Sequence, residues 1–175
     1  LSYTEVAQTT GGKIKSISER NRLIYRVDIR QAFADRVKRD GIPDRLDVDD
    51  TFGYWFSGFF DGEGCFTIMT RQRPDRYVER RVGIQVGVRD DDTDAILRIK
   101  DNLKTGVIWT AKAHASTNQN INFRIEKIQD LAEIVIPLFE KYPLYTKKSR
   151  EFFIWREVVR RQYIVTLGGY SQRAS

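Results

Sequence analysis

The strongest constraint on the fold is a period-two alternation of apolar and polar residues that begins after Gly64 and continues to Val88. Successive side chains of a β-strand point to opposite faces, so the pattern predicts two strands with one apolar and one polar face. The sequence RPDRY interrupts the alternation and predicts a turn. A long antiparallel hairpin with one face in water is therefore expected. Its apolar positions are Phe66 and Ile68 in the first strand and Val82, Ile84, Val86 and Val88 in the second.

Helical and strand-like patterns alternate through the remaining sequence. DDDTDAILRIKDNL has capping acids and helical apolar spacing, and GVIWTAKA with NINFRIE predicts a second hairpin. IQDLAEIVIPLFEKY predicts an apolar helix kinked at Pro137, and SREFFIWREVVRRQYIVTL predicts a final helix that ends at the following glycine pair. An aromatic helix with Asp50 or Thr51 as its N-cap precedes the first strand. The expected class is α+β, in the order helix, two strands, helix, two strands, helix, with one further helix.

The N-terminal region differs from the rest of the chain. Residues 1 to about 22 are polar and predict a flexible arm. Ile29, Phe33 and Val37 then recur at four-residue spacing and predict an amphipathic helix, which the Gly41–Pro43 segment should end. We predict three regions, which are an arm and helix at 1–50, one domain at 51–163 and a tail at 164–175.

The composition excludes several classes of protein. The 175 residues are 41% apolar and 31% charged, which is typical of a globular chain, and no apolar run approaches the roughly 20 residues needed to cross a membrane. A single cysteine and a single histidine exclude an intrachain disulfide and a zinc site built from several such ligands. Oxygen ligands remain for any metal, which favours magnesium, manganese or calcium. The net charge of +6 favours an anionic partner such as nucleic acid, and the cysteine content fits an intracellular location.

The segment FSGFFDGEG, residues 56–64, places small residues inside an otherwise aromatic helix. Glycines inside a helix cost roughly 1 kcal/mol each relative to alanine, and Gly58 and Gly62, four residues apart, share one face. Such a pair allows the backbone of another helix to approach closely. Because the chain contains this helix once, its natural partner is the copy in a second subunit, with Ser57, Gly58, Asp61 and Gly62 at the dimer interface.

Two carboxylates follow at the end of this helix, where the helix dipole disfavours negative charge. A two-fold axis along the glycine face would bring two copies of Glu63 together, which is unfavourable unless a cation lies beside them. This favours a divalent-metal site formed by the Glu63 carboxylate and backbone carbonyls. The alternative is a helix that Gly64 simply caps, with Asp61 and Glu63 solvated.

The stretch FSGFFDGEG followed by a strand resembles the motif of the LAGLIDADG homing endonucleases, and the similarity continues to YPLYTKKSREFFIW, over about residues 52–160. The resemblance implies an αββαββα saddle of antiparallel strands, laid in the major groove of double-stranded DNA and backed by helices. It implies an intron-encoded, site-specific endonuclease that cuts both strands of a long pseudo-palindromic site by metal-dependent phosphodiester hydrolysis. Since the chain has one motif, it also implies a homodimer.

The same resemblance assigns site residues. Glu63 matches the metal-binding acid, Gly62 matches the residue whose carbonyl assists it, and Asp61 matches an earlier acid that we interpret as structural. Lys147 best matches the active-site lysine that orders solvent near the scissile phosphate, with Lys148 as the alternative if the register differs by one residue. The implied cofactor is Mg²⁺, for which Mn²⁺ should substitute, whereas Ca²⁺ should bind without supporting cleavage.

One position departs from the family pattern. Where some single-motif members carry a polar side chain that orients solvent, this chain has Val88. Arg89 or Asp90 would serve instead after a one-residue bulge. The departure concerns the rate more than the reaction.

The polar faces of the predicted strands carry the donors and acceptors that readout of the DNA major groove requires. The alternative is a solvated sheet face whose arginines only confer solubility, although Met69 and Trp109 have little use on such a face. Arg76 and Arg80, near the predicted turn, are expected at phosphates. Among the residues of these faces, Arg71, Arg73 and Arg81 are expected at guanine edges, and Gln85 and Asn122 at adenines. The full set of residues expected to face the groove is Thr67, Met69, Arg71, Arg73, Glu79, Arg81, Gln85, Trp109, Asn120, Asn122 and Arg124.

Two other functions fit the same scaffold. An intron RNA maturase would use the same polar side chains, and a DNA-binding regulator would use them without catalysis. Retained Glu63 and Lys147 argue against the regulator. A small-molecule enzyme has little support, because no phosphate-binding loop or nucleophile elbow is present. The host, an organelle or a prokaryote, is not determined by these residues.

Overall fold

The computed structural model describes residues 31–32, 34–72, 78–111 and 120–170, without the side chains of 71, 78–80, 111 and 167–170. Residues 43–161 form one compact unit, and the described residues outside that range belong to a second. In the second unit, residues 34–40 are helical. Gly41 ends this helix, as predicted, with φ at +77° and its N–H bonded to the Val37 carbonyl at 2.9 Å. Ile29 and Phe33 lie outside the described residues.

The order of the elements confirms the predicted α+β class. Helix α1 passes directly into strand β1, and each hairpin is followed by a helix. No helix within the described ranges is both long and apolar enough to cross a membrane. The elements are α1 (Asp50–Glu63), β1 (Gly64–Gln72), β2 (Val78–Arg89), α2 (Thr93–Leu103), β3 (Val107–Ala111), β4 (Asn120–Ile125), α3 (Ile128–Asp130, Leu131–Val135 and Ile136–Lys141) and α4 (Lys148–Tyr170).

The four strands form one antiparallel sheet in the order β1-β2-β4-β3. Its register pairs Cys65 with Gln85 and Gln85 with Arg124, so the polar positions of neighbouring strands fall on the same face. The opposite face is buried, with Ile84, Val86 and Phe123 at most 1% exposed. The alternation in the sequence therefore predicted the two faces correctly in the central part of the sheet. We call the first face the polar face; its members with described side chains include Cys65, Thr67, Met69, Arg81, Gln85, Trp109, Asn122 and Arg124.

Aromatic rings join the helices to the buried face of the sheet. The Phe60 ring lies 4.9 Å from that of Phe66 on β1 and 4.9 Å from that of Phe139 on α3, measured between centroids. Trp155 on α4 packs against Phe66 at 5.0 Å and donates its indole N–H to the Gly83 carbonyl at 2.9 Å. This core fixes the end of α1 relative to the sheet.

A buried ionic network attaches the segment before α1 to the back of the domain. The Arg45 guanidinium pairs with Asp130, at 2.5 Å, and with Glu133, and both acidic side chains are at most 7% exposed. Thr105 Oγ1 donates to Asp130 at 2.7 Å. Burial alone would raise the pKa of Asp130, but the hydrogen bonds from Thr105 and Arg45 hold it below its ordinary value.

Several details of the helices differ from the expectations. The N-cap of α1 is Asp49, whose carboxylate accepts from the Phe52 N–H at 2.7 Å, one residue before the predicted cap. The π-helical turn Leu131–Val135 precedes Pro137, and the proline ring lies in the first turn of the following α segment, where its missing N–H is tolerated. The kink at Pro137 stays a prediction. Helix α4 continues through the glycine pair to Tyr170, so its predicted end was wrong. The division at 50 and 163 stays a prediction.

Candidate functional site

One face of α1 is filled by side chains of the same chain. Phe52, Phe56 and Phe60 recur at four-residue spacing and are at most 1% exposed. Gly53 lies against the ring of Tyr142, where a β-carbon would come within 2.2 Å of Cε2. We call this the closed face of α1.

Ser57 belongs to the closed face and corrects one prediction. Its side chain is 3% exposed, and its hydroxyl donates to the Tyr142 carbonyl at 2.7 Å. Residue 57 therefore faces the interior of its own subunit and is not available to a dimer interface. Its position next to Gly58 in the sequence could not reveal this, because a helix turns by about 100° per residue.

The other face of α1, the open face, is left uncovered by the described residues. A β-carbon at Gly58 or Gly62 would meet nothing within 4 Å, and Tyr54 on the same face is 60% exposed. Trp55 and Phe59 are half-buried beside them and stack at 5.2 Å. The glycine pair is thus placed where a second helix has access to the backbone.

Asp61 fastens the end of α1 to the loop before α4. Its carboxylate accepts from the Tyr145 N–H at 2.7 Å and from the Thr146 hydroxyl at 2.7 Å. These bonds satisfy the oxygens that a metal would otherwise use. The structural interpretation of Asp61 therefore agrees with its contacts, and the acid that remains at the tip is Glu63.

Of the two candidate lysines, Lys148 contacts the end of α1 and Lys147 does not. The Lys148 ammonium donates to the carbonyl of Asp61 at 2.7 Å and to that of Gly62 at 3.4 Å. Lys147 is exposed, and no hydrogen bond or ion pair joins its side chain to a described residue. Lys148 is the first residue of α4, whereas Lys147 belongs to the turn before it, so the two side chains leave the backbone in different directions and only that of Lys148 reaches α1. These contacts favour Lys148, the alternative given by shifting the family alignment by one residue.

Glu63 and Gly62 are exposed at the junction of α1 and β1. Gly64 lets the helix pass directly into the strand, because a β-carbon there would lie 2.3 Å from the Phe60 ring. The Glu63 carboxylate and the last carbonyls of α1 are hard oxygen donors, which suit Mg²⁺, Mn²⁺ or Ca²⁺. Within the described part of the chain, no cluster of three or more His, Cys, Asp or Glu residues completes such a site.

The polar face begins beside this tip. The register pairs Gly64 with Val86 and Cys65 with Gln85, so Gln85 lies one residue pair from the end of α1. Met69 is 51% exposed on this face, and the Arg124 guanidinium lies 4.9 Å from the centroid of the Trp109 ring. Asn120 and Asn122 also occupy positions of the polar face, because Asn122 pairs with Trp109 and Asn120 with Ala111.

Some predicted contacts lie partly or wholly outside the described residues. Arg71 occupies a strand position of the polar face and Arg80 one of the opposite face, but their side chains are not described. Arg73 and Arg76 lie in the undescribed range 73–77. The side chain of Val88 is 9% exposed and belongs to the buried face.

Glu126 is a polar-face residue that the sequence analysis missed. It follows β4 immediately, and a β-carbon at Gly83 would lie 3.2 Å from its Cγ. Its carboxylate pairs with Arg124 at 3.3 Å. The alternation of Asn122 and Arg124, extended by one more step, would have found it.

Residues 56–159 match a family model described as LAGLIDADG endonuclease. A "Probable intron-encoded endonuclease 3" of Neurospora crassa is 32% identical over 108 residues, which is 60% of this chain and 19% of the relative. The chain thus spans about a fifth of the length of this curated relative.

Solved structures resemble the fold described above. The LAGLIDADG meganuclease I-AabMI, bound to uncleaved DNA, matches with a TM-score of 0.53 and 29% identity over 63% of this chain and 36% of its own. I-SmaMI, bound to an uncleaved DNA target in the presence of calcium ions, matches with a TM-score of 0.55 and 23% identity over 66% of this chain and 40% of its own. The second similarity concerns the fold alone.

Proposed function

The chain belongs to the LAGLIDADG endonuclease family, and on this premise we propose that it is a site-specific endonuclease that hydrolyses both strands of a DNA duplex. The observation that carries the proposal is the position of Glu63. It is an exposed carboxylate at the tip of α1, it directly follows Gly62, whose carbonyl accepts from the Lys148 ammonium at 3.4 Å, and it lies next to the first residue pairs of the polar face. The Glu63 carboxylate, the Lys148 ammonium and the polar face of the sheet are thus close to the same end of α1.

The polar face is proposed to bind the DNA major groove. A ribbon of antiparallel strands fits that groove, and Arg81, Gln85 and Asn122 are suited to hydrogen-bond base edges. The net charge of +6 supports attraction to phosphates. The predicted contacts at Arg71, Arg73, Arg76 and Arg80 belong to the same proposal.

The residues at the tip fit a divalent cation. Glu63 and the Gly62 carbonyl would hold it, while Asp61 keeps the loop before α4 in place. When bound, such a cation neutralises charge on the transferring phosphate and lowers the pKa of bound water. The Lys148 ammonium adds positive charge beside the phosphate that is cut. We propose Mg²⁺ as the natural ion, Mn²⁺ as a substitute, and Ca²⁺ as an ion that supports binding only.

A homodimer completes the site in this proposal. One subunit supplies one free carboxylate at its tip, and the open face of α1 exposes the backbone at Gly58 and Gly62. Two copies that pack through this face would place two Glu63 residues side by side, and the bound cations would offset their repulsion. A two-fold axis on duplex DNA relates its strands, so each subunit would cut one. The proposed site of action is inside the cell, where the DNA is found.

The proposal is tested by selecting cleaved sites from a random DNA library in the presence of Mg²⁺. We expect one long, pseudo-palindromic target. Glu63→Gln should reduce cleavage of it by more than about 100-fold, since even the partners of metal ligands contribute 10- to 100-fold. Binding of the same DNA in Ca²⁺ should persist.

Three outcomes would contradict the proposal in different ways. Continued cleavage by Glu63→Gln would remove this acid from the mechanism. Selective binding without any cleavage by the wild type would favour a DNA-binding regulator. Intron RNA binding that survives Glu63→Ala, in the absence of DNA cleavage, would favour a maturase.

A further inference from the structure

We propose that Arg124 recognises one guanine in each half of the DNA target, and that Trp109 and Glu126 hold its guanidinium in position to do so. The inference rests on the proposed DNA-binding function of the polar face. It adds a base preference and a supporting role for an acid, Glu126, on a surface that would bind a polyanion.

The first argument is the location of Arg124 in the sheet. It lies on β4, which is flanked by β2 and β3, and the register places it between Gln85 and Val107. A side chain in the middle of a ribbon faces the base edges in the floor of the major groove, whereas residues at the margins face phosphates. Arginine at such a place characteristically forms two hydrogen bonds with guanine O6 and N7.

The second argument is that two neighbours restrain the guanidinium. Its Cζ lies 4.9 Å from the centroid of the Trp109 ring, within the range of a cation–π contact. One of its terminal nitrogens lies 3.3 Å from Glu126 Oε1. The side chain nevertheless remains 46% exposed, so part of the guanidinium is available to a ligand.

The third argument concerns Glu126 itself. An acid on a DNA-binding face repels phosphates and lowers affinity, so its presence there calls for a compensating role. Glu126 lies against Gly83, where a β-carbon would approach its Cγ to 3.2 Å, and its side chain is 33% exposed. It is therefore set against the sheet beside Arg124. An arginine whose rotamers are already restricted loses less entropy when it binds a base, which sharpens its discrimination.

The experiment measures base preference at every target position for the wild type and for Arg124→Ala, Glu126→Ala, Glu126→Gln and Trp109→Leu. DNA from a random library is selected by binding in Ca²⁺ and separately by cleavage in Mg²⁺. Arg160→Ala is the matched control, because it removes an arginine that pairs with Glu140 and Glu157 on the helical side of the sheet. Circular dichroism confirms that each variant is folded.

We expect one position in each half of the target to prefer guanine. Arg124→Ala should reduce that preference by about tenfold or more, consistent with the loss of a bidentate contact. Both Glu126 variants and Trp109→Leu should weaken the preference at the same position by a smaller factor. The preferences at other positions, and the whole profile of Arg160→Ala, should not change.

Other outcomes would overturn the inference. If Arg124→Ala weakens binding equally for all sequences, the residue contacts a phosphate. If the Glu126 variants leave the profile unchanged, or alter a different position, the acid does not hold Arg124. If the wild type shows no sequence selectivity at all, the proposed function fails and the inference with it; a selective wild type with an unchanged Arg124→Ala profile rejects only the inference.

Discussion

On the closed face of α1, Gly53 lies against Tyr142 of the same chain, whereas a β-carbon at Gly58 or Gly62 on the open face would meet no described residue within 4 Å. The same residue type therefore serves two purposes in one helix. Gly53 makes room for an aromatic ring inside the subunit, and the exposed pair leaves room for something outside it. Each glycine destabilises the helix by about 1 kcal/mol relative to alanine. Within one chain, only the packing of Gly53 against Tyr142 offsets that cost. The comparison separates the part of the helix that packs within the chain from the part that is proposed to meet a partner.

Among the tests of this comparison, the largest expected effect concerns Lys148, whose ammonium contacts the end of α1. Lys148→Met should lower the rate of DNA cleavage by about 100-fold, because a positive charge beside the developing charge of the transition state is lost. Lys147→Met, the matched control, removes the same charge one residue away and should change the rate by no more than a few-fold. Single-turnover cleavage of the selected target measures both. Equal losses in the two variants would refute the assignment made from the contacts of Lys148.

A pair of identical substitutions tests the two faces directly. Gly53→Ala should destabilise the fold by about 1–3 kcal/mol, because the new methyl group would press on the buried Tyr142 ring. Gly58→Ala should instead stabilise the isolated subunit by up to about 1 kcal/mol, since alanine favours the helix and its methyl group would meet no described residue within 4 Å. Urea unfolding of dilute protein gives both values. Changes of the same sign would remove the distinction between the faces.

The smallest effect concerns the start of α1. Asp50 accepts a hydrogen bond from the Tyr142 hydroxyl at 2.6 Å and pairs with Lys141 at 3.0 Å, and these contacts lower the pKa of its carboxyl. A carboxyl with a lowered pKa stabilises the fold above its unfolded pKa, and this contribution disappears as the pH falls through its folded pKa. Asp50→Asn should therefore reduce thermal stability slightly at pH 7 and not at about pH 2.

The test for Asp50 compares the loss of thermal stability caused by Asp50→Asn at pH 7 with the loss at about pH 2. The side chain of this residue is 71% exposed, so the change at neutral pH should be small and should shrink further in high salt. A loss of stability that is equal at both pH values would show that packing, and not charge, is responsible. It would leave the assignment of Tyr142 to the closed face intact.

The sequence predicted the sheet better than it predicted the ends and faces of α1. Alternation determines which side of a strand is buried, so Gln85, Trp109 and Arg124 were placed on one face before any tertiary contact was known. Whether Ser57 points inward depends on Tyr142, which is distant in the sequence, and local spacing does not contain that information. The choice between adjacent lysines likewise depends on where α4 begins. Helix boundaries are set by capping contacts, as at Asp49, and a shift of one residue changes which side chain reaches the site.

The π-helical turn in α3 was hidden for a related reason. Proline interrupts the hydrogen-bond pattern of a helix, and the irregular turn lies just before Pro137. How the helix accommodates the missing N–H depends on the surrounding packing, and here the wider turn Leu131–Val135 precedes it. A proline in the sequence predicts that the helix will be irregular nearby, but the packing around α3 determines which kind of irregular turn forms.

The central claim is that the open face of α1 pairs with its copy in a second subunit. Gly58→Cys, made in a Cys65→Ser background so that no other cysteine is present, tests it under mild oxidation. A disulfide requires Cα atoms about 4.4–6.8 Å apart, which closely packed glycine faces would provide. We predict rapid formation of a covalent dimer that still binds the selected DNA. If it forms no faster than with Ile154→Cys, at an exposed position of α4 in the same background, the proposed pairing of the two α1 helices is wrong.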